Sequence, residues 1–253
     1  MKLARSLAKR RASRYEHGMF VAEGTRVIQA LLEAGIELNI VLVDDARVTD
    51  IPAELLERLE ASAARLVRVE SRLYRDITTT ETPQPLSAIC IIPRPSLPAA
   101  PKLIVLLDRL ADPGNAGTII RSAAAFGADI VAITRETVDP YNPKTVRSTA
   151  GTIGLVPILP VADLEHLRTS LNLTGATALF ADSHAKASIY DVHWRAPVII
   201  IFGSEPHGIS QASRDQADMS VRIPMRGPVE SLNVAAAASI ILHHISDEID
   251  RQM

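Results

Sequence analysis

The chain has 253 residues, of which 47% are hydrophobic and 22% charged, the balance of an ordinary soluble globular protein. No uncharged apolar run reaches the roughly 18 residues that a membrane-spanning helix needs, which excludes a transmembrane protein. The single cysteine, Cys90, excludes an internal disulfide and a cysteine-based zinc site. The start of the chain carries no hydrophobic signal core, so we expect the protein in the cytoplasm.

The net charge of −2 conceals an uneven distribution of charge along the chain. The first fourteen residues hold no acidic side chain and carry a charge of +6, from Lys2, Arg5, Lys9, Arg10, Arg11 and Arg14. The other 239 residues therefore carry −8. A basic arm on an acidic body indicates an anionic partner, most commonly nucleic acid, and the alternative is a solvated, partly disordered terminus.

The N-terminal part predicts a small α/β domain. A basic helix or arm comes first, and residues 25–34 then place apolar side chains on one helical face, with Gly35 at the end. A buried strand is expected at 38–43, a helix at 54–64 capped by Asp50, and further strands at 66–69 and 87–92. Cys90 lies in the apolar run 88–92 and is expected in the core.

A proline-rich stretch divides the chain. Residues 93–101 contain four prolines, which predict a stiff linker because proline fixes φ and removes a backbone donor. The predicted domains are therefore residues 1–92 and 102–253.

The C-terminal part alternates between strands and helices. Strands are expected at 103–107, 130–133, 155–158, 178–180, 198–202 and 221–223, and helices at 116–126, 143–150, 163–171 and 232–249. This alternation predicts an α/β domain with a mostly parallel sheet covered by helices on both faces.

Three loops rich in glycine and polar residues follow predicted strands. The first, 108–117, has Asn115 in position to cap a helix that carries Arg121. The second, 203–208, brackets Glu205 between two glycines, and the third, 223–234, brings Ser231 and Asn233 to a helix start. Each loop alone is also explained as a helix cap or a surface turn. Together they point to a ligand site, because open parallel sheets bind ligands at the carboxyl ends of their strands.

The three loops resemble the signature motifs of a known family, in the family's order: Asn115-x-Gly117-x3-Arg121, Phe202-Gly203-x-Glu205-x-x-Gly208, and Ile223-Pro-Met225-x-Gly227-x3-Ser231-Leu-Asn-Val234. The family is the SpoU/TrmH branch of the SPOUT RNA methyltransferases, which methylate a ribose 2′-hydroxyl. Lys9-Arg-Arg11 and Phe20-Val-Ala-Glu-Gly24 are similar to the small RNA-substrate-binding domain often found in these enzymes. One departure is Ala235, where many relatives have serine.

The resemblance implies a deep trefoil knot in the C-terminal domain, an S-adenosylmethionine site within it, and a homodimer formed through that domain. It assigns the donor contacts to Gly203, Ile223, Met225 and Leu232, and the chemistry to Arg121, Asn115, Glu205, Ser231 and Asn233. It places RNA contacts at Lys9, Arg10, Arg11 and Arg14. No metal is required, since the sulfonium already activates the methyl group.

Arg121 is the residue expected to carry most of the chemistry. A guanidinium hardly ever gives up its proton, so a role as general base is disfavoured. We expect Arg121 to grip the adjacent RNA phosphate and to stabilise the developing alkoxide.

Two other functions remain to be weighed. A Rossmann oxidoreductase is disfavoured because no Gly-x-Gly-x-x-Gly follows a strand and no phosphate-binding Gly-x-x-x-x-Gly-Lys is present. A catalytically inactive RNA-binding relative is the second alternative, which the intact motif residues argue against. For an enzyme, 23S ribosomal RNA is the favoured substrate, because a separate basic domain suits a structured target. Transfer RNA is the alternative, and an antibiotic-resistance role stays open. His184 and His207 are minor candidates near the site.

Overall fold

The chain divides into two compact units in a computed structural model that describes residues 1–78, 80, 82–173, 175–204 and 208–251. The first unit comprises Met1–Arg94 and Asp139–Leu155, and the second comprises Pro95–Val138 and Val156–Met253. The segment Asp139–Leu155 thus packs with the N-terminal residues, although it lies within the range predicted for the C-terminal domain.

The helices of the described chain are short except for two in the second unit. In chain order they are α1 (Lys2–Lys9), α2 (Arg11–His17), α3 (Thr25–Glu33), α4 (Ala53–Ala61), α5 (Ser71–Arg75), α6 (Pro113–Ala125), α7 (Pro143–Ser148), α8 (Leu164–Ser170), α9 (Gln211–Gln216) and α10 (Val234–Asp250). None of them combines the length and the apolar character needed to cross a bilayer. The described residues also form three short 3₁₀ helices, Asp45–Asp50, Thr152–Gly154 and Ile189–Asp191.

The strands belong to two separate sheets. They are β1 (Met19–Glu23), β2 (Leu38–Asp44), β3 (Arg65–Val69), β4 (Leu86–Ile91), β5 (Leu103–Asp108), β6 (Ile130–Ile133), β7 (Ile158–Pro160), β8 (Thr177–Ala181), β9 (Ala187–Ser188), β10 (Val198–Gly203) and β11 (Met219–Arg222). The first unit holds β1 to β4, and the second unit holds β5 to β11.

The first unit is a mixed four-stranded sheet in the order β1-β4-β2-β3. β4 is antiparallel to both of its neighbours, whereas β2 and β3 run parallel. The basic arm is folded, because α1 buries Ala4 and Leu7 in the same apolar cluster as Val21, Leu42 and Ile89. The expectation of a partly disordered terminus is therefore wrong for the residues of this helix.

The predicted burial of Cys90 is confirmed. Its side chain is inaccessible to solvent on the central strand β4. Burial raises the pKa of the thiol well above its usual range, so Cys90 behaves as a small apolar core residue.

A buried ion pair joins α2 to the segment 139–155. Arg14 donates from Nε to Oδ2 of Asp139 at 2.6 Å, its Nη2 lies 2.5 Å from the same oxygen, and its Nη1 donates to the carbonyl of Leu7 at 2.6 Å. The side chains of Arg14 and Asp139 are 3% and 5% exposed. Arg14 was predicted to contact RNA, and this prediction is wrong because its guanidinium is buried and paired.

The other oxygen of Asp139 is also occupied. Oδ1 accepts from the Tyr15 hydroxyl at 3.1 Å and from the backbone amide of Tyr141 at 3.0 Å. Burial, followed by the charge of Asp139, raises the pKa of Tyr15 to about 12, because both disfavour the charged phenolate. The carboxylate is thereby satisfied on both oxygens, as a buried charge requires.

The second unit confirms the predicted α/β class. Its seven strands lie in the order β7-β6-β5-β10-β8-β11-β9, and all the pairs are parallel. Alternate residues of β5, β6, β8 and β10 pack with Leu164 and Leu167 of α8 in one cluster. The residues between them, such as Val105 and Ile200, are equally buried, so both faces of the sheet are covered. The trefoil knot stays a prediction.

Three local predictions are wrong in their boundaries. The helix predicted at 54–64 begins after Pro52 rather than at an Asp50 cap. Residues 155–158 were predicted as a strand, but a 3₁₀ turn occupies Thr152–Gly154 and β7 starts at Ile158. Asp112, not Asn115, caps α6, because its side chain accepts from the amide of Asn115 and Pro113 occupies the first helical turn.

The buried pair predicts a large difference between two aspartate substitutions. We expect Asp139→Ala to lower the free energy of unfolding by about 3–5 kcal/mol, since it leaves the Arg14 charge buried without a partner. Asp76→Ala removes the exposed partner of Arg5 and should cost at most about 1 kcal/mol. Urea unfolding of the two variants measures both costs. An Asp139→Ala protein as stable as the Asp76→Ala protein would contradict the assignment.

Candidate functional site and its flanking helices

The carboxyl ends of four neighbouring strands meet at one edge of the parallel sheet. β5, β10, β8 and β11 are adjacent in that order and run in the same direction. The three loops identified in the sequence follow β5, β10 and β11, and a fourth loop at 182–186 follows β8. Parallel topology therefore brings the three sequence motifs to the same edge.

A cavity of about 430 Å³ opens at this edge. It is lined by all four residues predicted to contact the donor, Gly203, Ile223, Met225 and Leu232, and by Ser231. Other parts of its wall are apolar, including Phe202, Ile209, Val221 and Ile241. The polar residues among the described part of the wall include Asp182, Ser183, His184, Ser204, Arg214 and Arg222. An apolar cleft with a few polar groups suits a small organic ligand.

At Gly203 two backbone segments approach each other closely. A methyl group at this position would overlap the carbonyl carbon and oxygen of Gly208 and the amide nitrogen of Ile209. Ser204 and Gly208 exchange two backbone hydrogen bonds, at 3.1 Å from the Ser204 amide and at 2.8 Å from the Gly208 amide. The base of this loop is therefore closed, and only glycine fits beside it.

A buried carboxylate anchors the far side of the same loop. Asp108 is the last residue of β5 and is 1% exposed. Its Oδ2 accepts from the backbone amide of Ser210 at 2.7 Å, and Ser210 in turn caps α9. This bond ties the loop after β10 to the end of β5. Sequence analysis did not single out Asp108, although its position at a strand end was visible.

The first and third motifs are joined by a pair of asparagines. Asn233 caps α10, with its Oδ1 accepting from the amides of Ala235 at 2.9 Å and Ala236 at 3.3 Å. Its Nδ2 donates to Oδ1 of Asn115 at 3.0 Å. The structure brings these two predicted residues together directly beside Leu232.

Helices α6 and α10 lie side by side and run parallel. Their contacts advance together along both helices, from Asn115 with Asn233 to the hydroxyls of Ser122 and Ser239, which are 2.7 Å apart. Further along, the rings of Phe126 and His243 meet edge to face at 5.4 Å. The helix that carries Arg121 is thereby held against the helix that starts at the cavity.

Arg121 is exposed and lies on a different side of α6 from Asn115. Six residues advance a helix by about 9 Å and leave the two side chains about 120° apart around its axis. Arg121, Asn115 and Asn233 do not line the cavity itself. The site therefore has a ligand cavity and, on its flanking helices, a separate set of polar groups.

Glu205 and His207, predicted in the second motif, lie outside the described residues. His184 lines the cavity with a side chain that is 89% exposed, and its Nδ1 lies 3.5 Å from Asp182. Asp182 and Arg214 line the cavity but were missed by sequence analysis. The position of Asp182 two residues after the predicted strand 178–180 is the signal that could have found it.

In the first unit, three of the predicted RNA contacts are exposed. Lys9 and Arg10 lie at the junction of α1 and α2, and the guanidinium of Arg11 lies 5.6 Å from the centre of the Tyr15 ring. The arm therefore presents three neighbouring cationic side chains to solvent, whereas Arg14 points into the unit.

Comparison with known proteins decides the family. Residues 102–243 match the SpoU rRNA Methylase family, and residues 1–88 match the MRM3-like substrate binding domain. The chain belongs to the SpoU rRNA methylase family. The predicted resemblance is thus confirmed, and the family match includes every strand that contributes to the cavity edge.

Two curated relatives are similar over nearly the whole chain. The 23S rRNA (guanosine(2553)-2′-O)-methyltransferase RlmP of Bacillus subtilis is 31% identical over 227 residues, 89% of this chain and 88% of the relative. The 23S rRNA (uridine(2479)-2′-O)-methyltransferase of Streptomyces viridochromogenes is 30% identical over 249 residues, 94% of this chain and 86% of the relative.

A solved structure is similar at the level of the complete fold. The SpoU methyltransferase AviRb from Streptomyces viridochromogenes, in complex with the cofactor AdoMet, matches with a TM-score of 0.87 and 28% identity. The match covers 98% of this chain and 96% of AviRb.

The close approach of backbone at Gly203 predicts that a methyl group at this position destabilises the protein. We expect Gly203→Ala to lower the free energy of unfolding by about 1–3 kcal/mol, because backbone atoms must move to admit the side chain. Gly227→Ala is the matched control, since a methyl group there meets open space, and its effect should stay within about 0.5 kcal/mol. Denaturant unfolding compares the two variants. Equal stability of the two variants would show that the backbone segments at Gly203 do not approach each other closely.

Proposed function

We propose that this protein transfers the methyl group of S-adenosylmethionine to a ribose 2′-hydroxyl in RNA, with 23S ribosomal RNA as the substrate. The observation that carries the proposal is the cavity at the carboxyl edge of the sheet, which is lined by residues of the second and third motifs. The first motif is attached to it through the Asn115–Asn233 hydrogen bond. The chain's membership in the SpoU rRNA methylase family supports the same reaction.

The residues around the cavity fit the donor. Its apolar wall, with Ile223, Met225 and Leu232, suits the flat faces of adenine, and its polar residues suit the ribose and the amino-acid portion. The absence of a side chain at Gly203 lets Gly208 and Ile209 pack against it and shape this part of the cavity wall. The cavity volume of about 430 Å³ lies within the range of small-molecule sites.

The bound donor supplies a methyl group that its sulfonium already activates, so the protein need only position the reactants and stabilise charge. Ile223, Met225 and Leu232 would cover the adenine of a bound donor and exclude water from it. Ser231, which precedes Leu232 and lines the cavity, is proposed to anchor the turn that leads into α10. These residues fix one reactant, and the flanking helices act on the other.

Arg121 acts on the RNA. An exposed guanidinium with a planar fork of donors can grip a phosphate and stabilise the negative charge that develops on the ribose oxygen. Asn115 and Asn233 keep α6 and the start of α10 in register through their hydrogen bond, so that Arg121 keeps a fixed place relative to the cavity. Glu205 is proposed to support the loop after β10.

Ribosomal rather than transfer RNA is proposed because both relatives named above carry a 23S rRNA activity in their names and cover the N-terminal unit as well. The match of residues 1–88 to a substrate binding domain supports a structured RNA target. A cytoplasmic location is proposed together with this substrate.

A homodimer through the second unit is also proposed. One face of α10 exposes Ala236, Ile240 and His243 at helical spacing, and Ile240 is 39% exposed. Tyr190, which precedes α10 in the chain and is 65% exposed, packs its ring against His244 of that helix. An apolar face of this kind is typical of an interface.

Sedimentation equilibrium tests the proposed homodimer, and a monomer at micromolar concentration would exclude the dimer.

The role of Arg121 predicts a loss of turnover without a loss of donor affinity. We expect Arg121→Lys to slow methyl transfer about tenfold to a hundredfold, because an ammonium lacks the bidentate fork. Single-turnover transfer to 23S rRNA and calorimetry with the donor separate the two effects. Arg195→Lys, at an exposed position elsewhere in the unit, should leave both unchanged. Near-normal turnover of Arg121→Lys would exclude the bidentate role.

The arm predicts a salt-dependent contribution to RNA binding. Replacing Lys9, Arg10 and Arg11 together by Gln should weaken RNA binding and lower the slope of log K against log salt by up to about 3, one for each lost phosphate contact. Donor affinity should not change. The control variant loses two exposed arginines of the second unit, Arg195 and Arg251, and filter binding at several salt concentrations compares them. An unchanged slope in the triple variant would mean that the arm does not touch phosphates.

A further inference from the structure

A carboxylate in the cavity has no role in the motifs described so far. Asp182 directly follows β8, and its backbone amide donates to the carbonyl of Val221 at 2.9 Å, which fixes its place at the sheet edge. Its side chain lines the cavity and is 26% exposed. Among the described residues of the cavity wall, Asp182 supplies the only carboxylate.

Both oxygens of Asp182 retain capacity for hydrogen bonds. Oδ1 accepts from the backbone amide of His184 at 2.9 Å, and Oδ2 lies 3.6 Å from Nη1 of Arg214. An ionised carboxylate has about four acceptor positions. Each oxygen can therefore accept a further hydrogen bond from a ligand in the cavity.

The charge of Arg214 affects which hydrogen-bonding groups of a ligand can bind to Asp182. Its guanidinium lies 4.7 Å from the centre of the Phe180 ring, and its Nη1 faces Oδ2 of Asp182. The carboxylate is thus already paired with a positive charge on the cavity wall. An ammonium or sulfonium beside it would also meet the charge of Arg214, whereas neutral hydroxyl groups meet no such repulsion.

We propose that Asp182 is the acceptor for the two ribose hydroxyls of the methyl donor, and that Arg214 positions it. The inference rests on the proposed function, since it assigns a place to the ribose of the donor within the same cavity. Two adjacent hydroxyls match the two oxygens of one carboxylate. A carboxylate at the end of a neighbouring parallel strand serves the same purpose in dinucleotide sites.

Calorimetry with three ligands tests the assignment: S-adenosylmethionine, 5′-methylthioadenosine, which lacks the amino-acid portion, and a methylthioadenosine analogue without the two ribose hydroxyls. We expect Asp182→Ala to weaken the first two ligands by the same factor, about tenfold to a hundredfold. The wild-type protein should prefer methylthioadenosine over its analogue by a similar factor. Asp182→Ala should bind the two equally, and Asp182→Asn, which keeps one acceptor, should fall between.

Two controls separate this role from indirect effects. Asp215→Asn removes a negative charge from the exposed face of α9 and should bind all three ligands like the wild type. Adding Arg214→Met to Asp182→Ala should not restore affinity, because the lost partner of the hydroxyls is not replaced.

Three results would overturn the inference. Asp182→Ala could weaken only S-adenosylmethionine, which would mean that the carboxylate binds the amino-acid portion. It could retain the preference for methylthioadenosine over the analogue. The double variant could recover wild-type affinity, which would make Asp182 merely a counter-ion of Arg214. A wild-type protein that binds none of the ligands would instead contradict the proposed function, and this inference with it.

Discussion

The close approach of the backbone at Gly203 to that of Gly208 and Ile209 is the constraint on which the site depends. It lets the loop after β10 close on itself through the paired Ser204 and Gly208 hydrogen bonds. Asp108 then fixes the loop to the end of β5 through the amide of Ser210. Because the loop is held at both places, the wall of the cavity is preorganised before a ligand enters, which lowers the cost of binding.

The same edge of the sheet separates two tasks. The cavity provides apolar surface and a few polar groups, which suit a small ligand, whereas α6 carries an exposed guanidinium that suits a large anionic one. The Asn115–Asn233 hydrogen bond and the Ser122–Ser239 contact hold α6 against α10, whose first turn begins beside the cavity. Positioning of two reactants at one end of the sheet, one in the cavity and one on α6, is what an in-line transfer requires.

The sequence predicted the parallel sheet and the loops at its edge because long apolar runs and glycine-rich turns are local signals. Pairings between distant residues carry no such signal. Nothing near Arg14 distinguishes it from Arg11, and only the fold shows that its partner is Asp139, 125 residues away. The cap of α6 was misplaced, although Asp112 followed by Pro113 was a readable signal. Asp182 and Arg214 meet only after folding.

The proposed function requires that this cavity and Arg121 together methylate one ribose of 23S ribosomal RNA. Mapping of 2′-O-methyl groups in total RNA, from a strain lacking the gene and from its parent, tests the claim most directly. We expect a single ribose of 23S rRNA to lose its methyl group in the strain lacking the gene, and the wild-type gene but not an Arg121→Ala gene to restore it. An unchanged map, or a modification lost from a base, would contradict it.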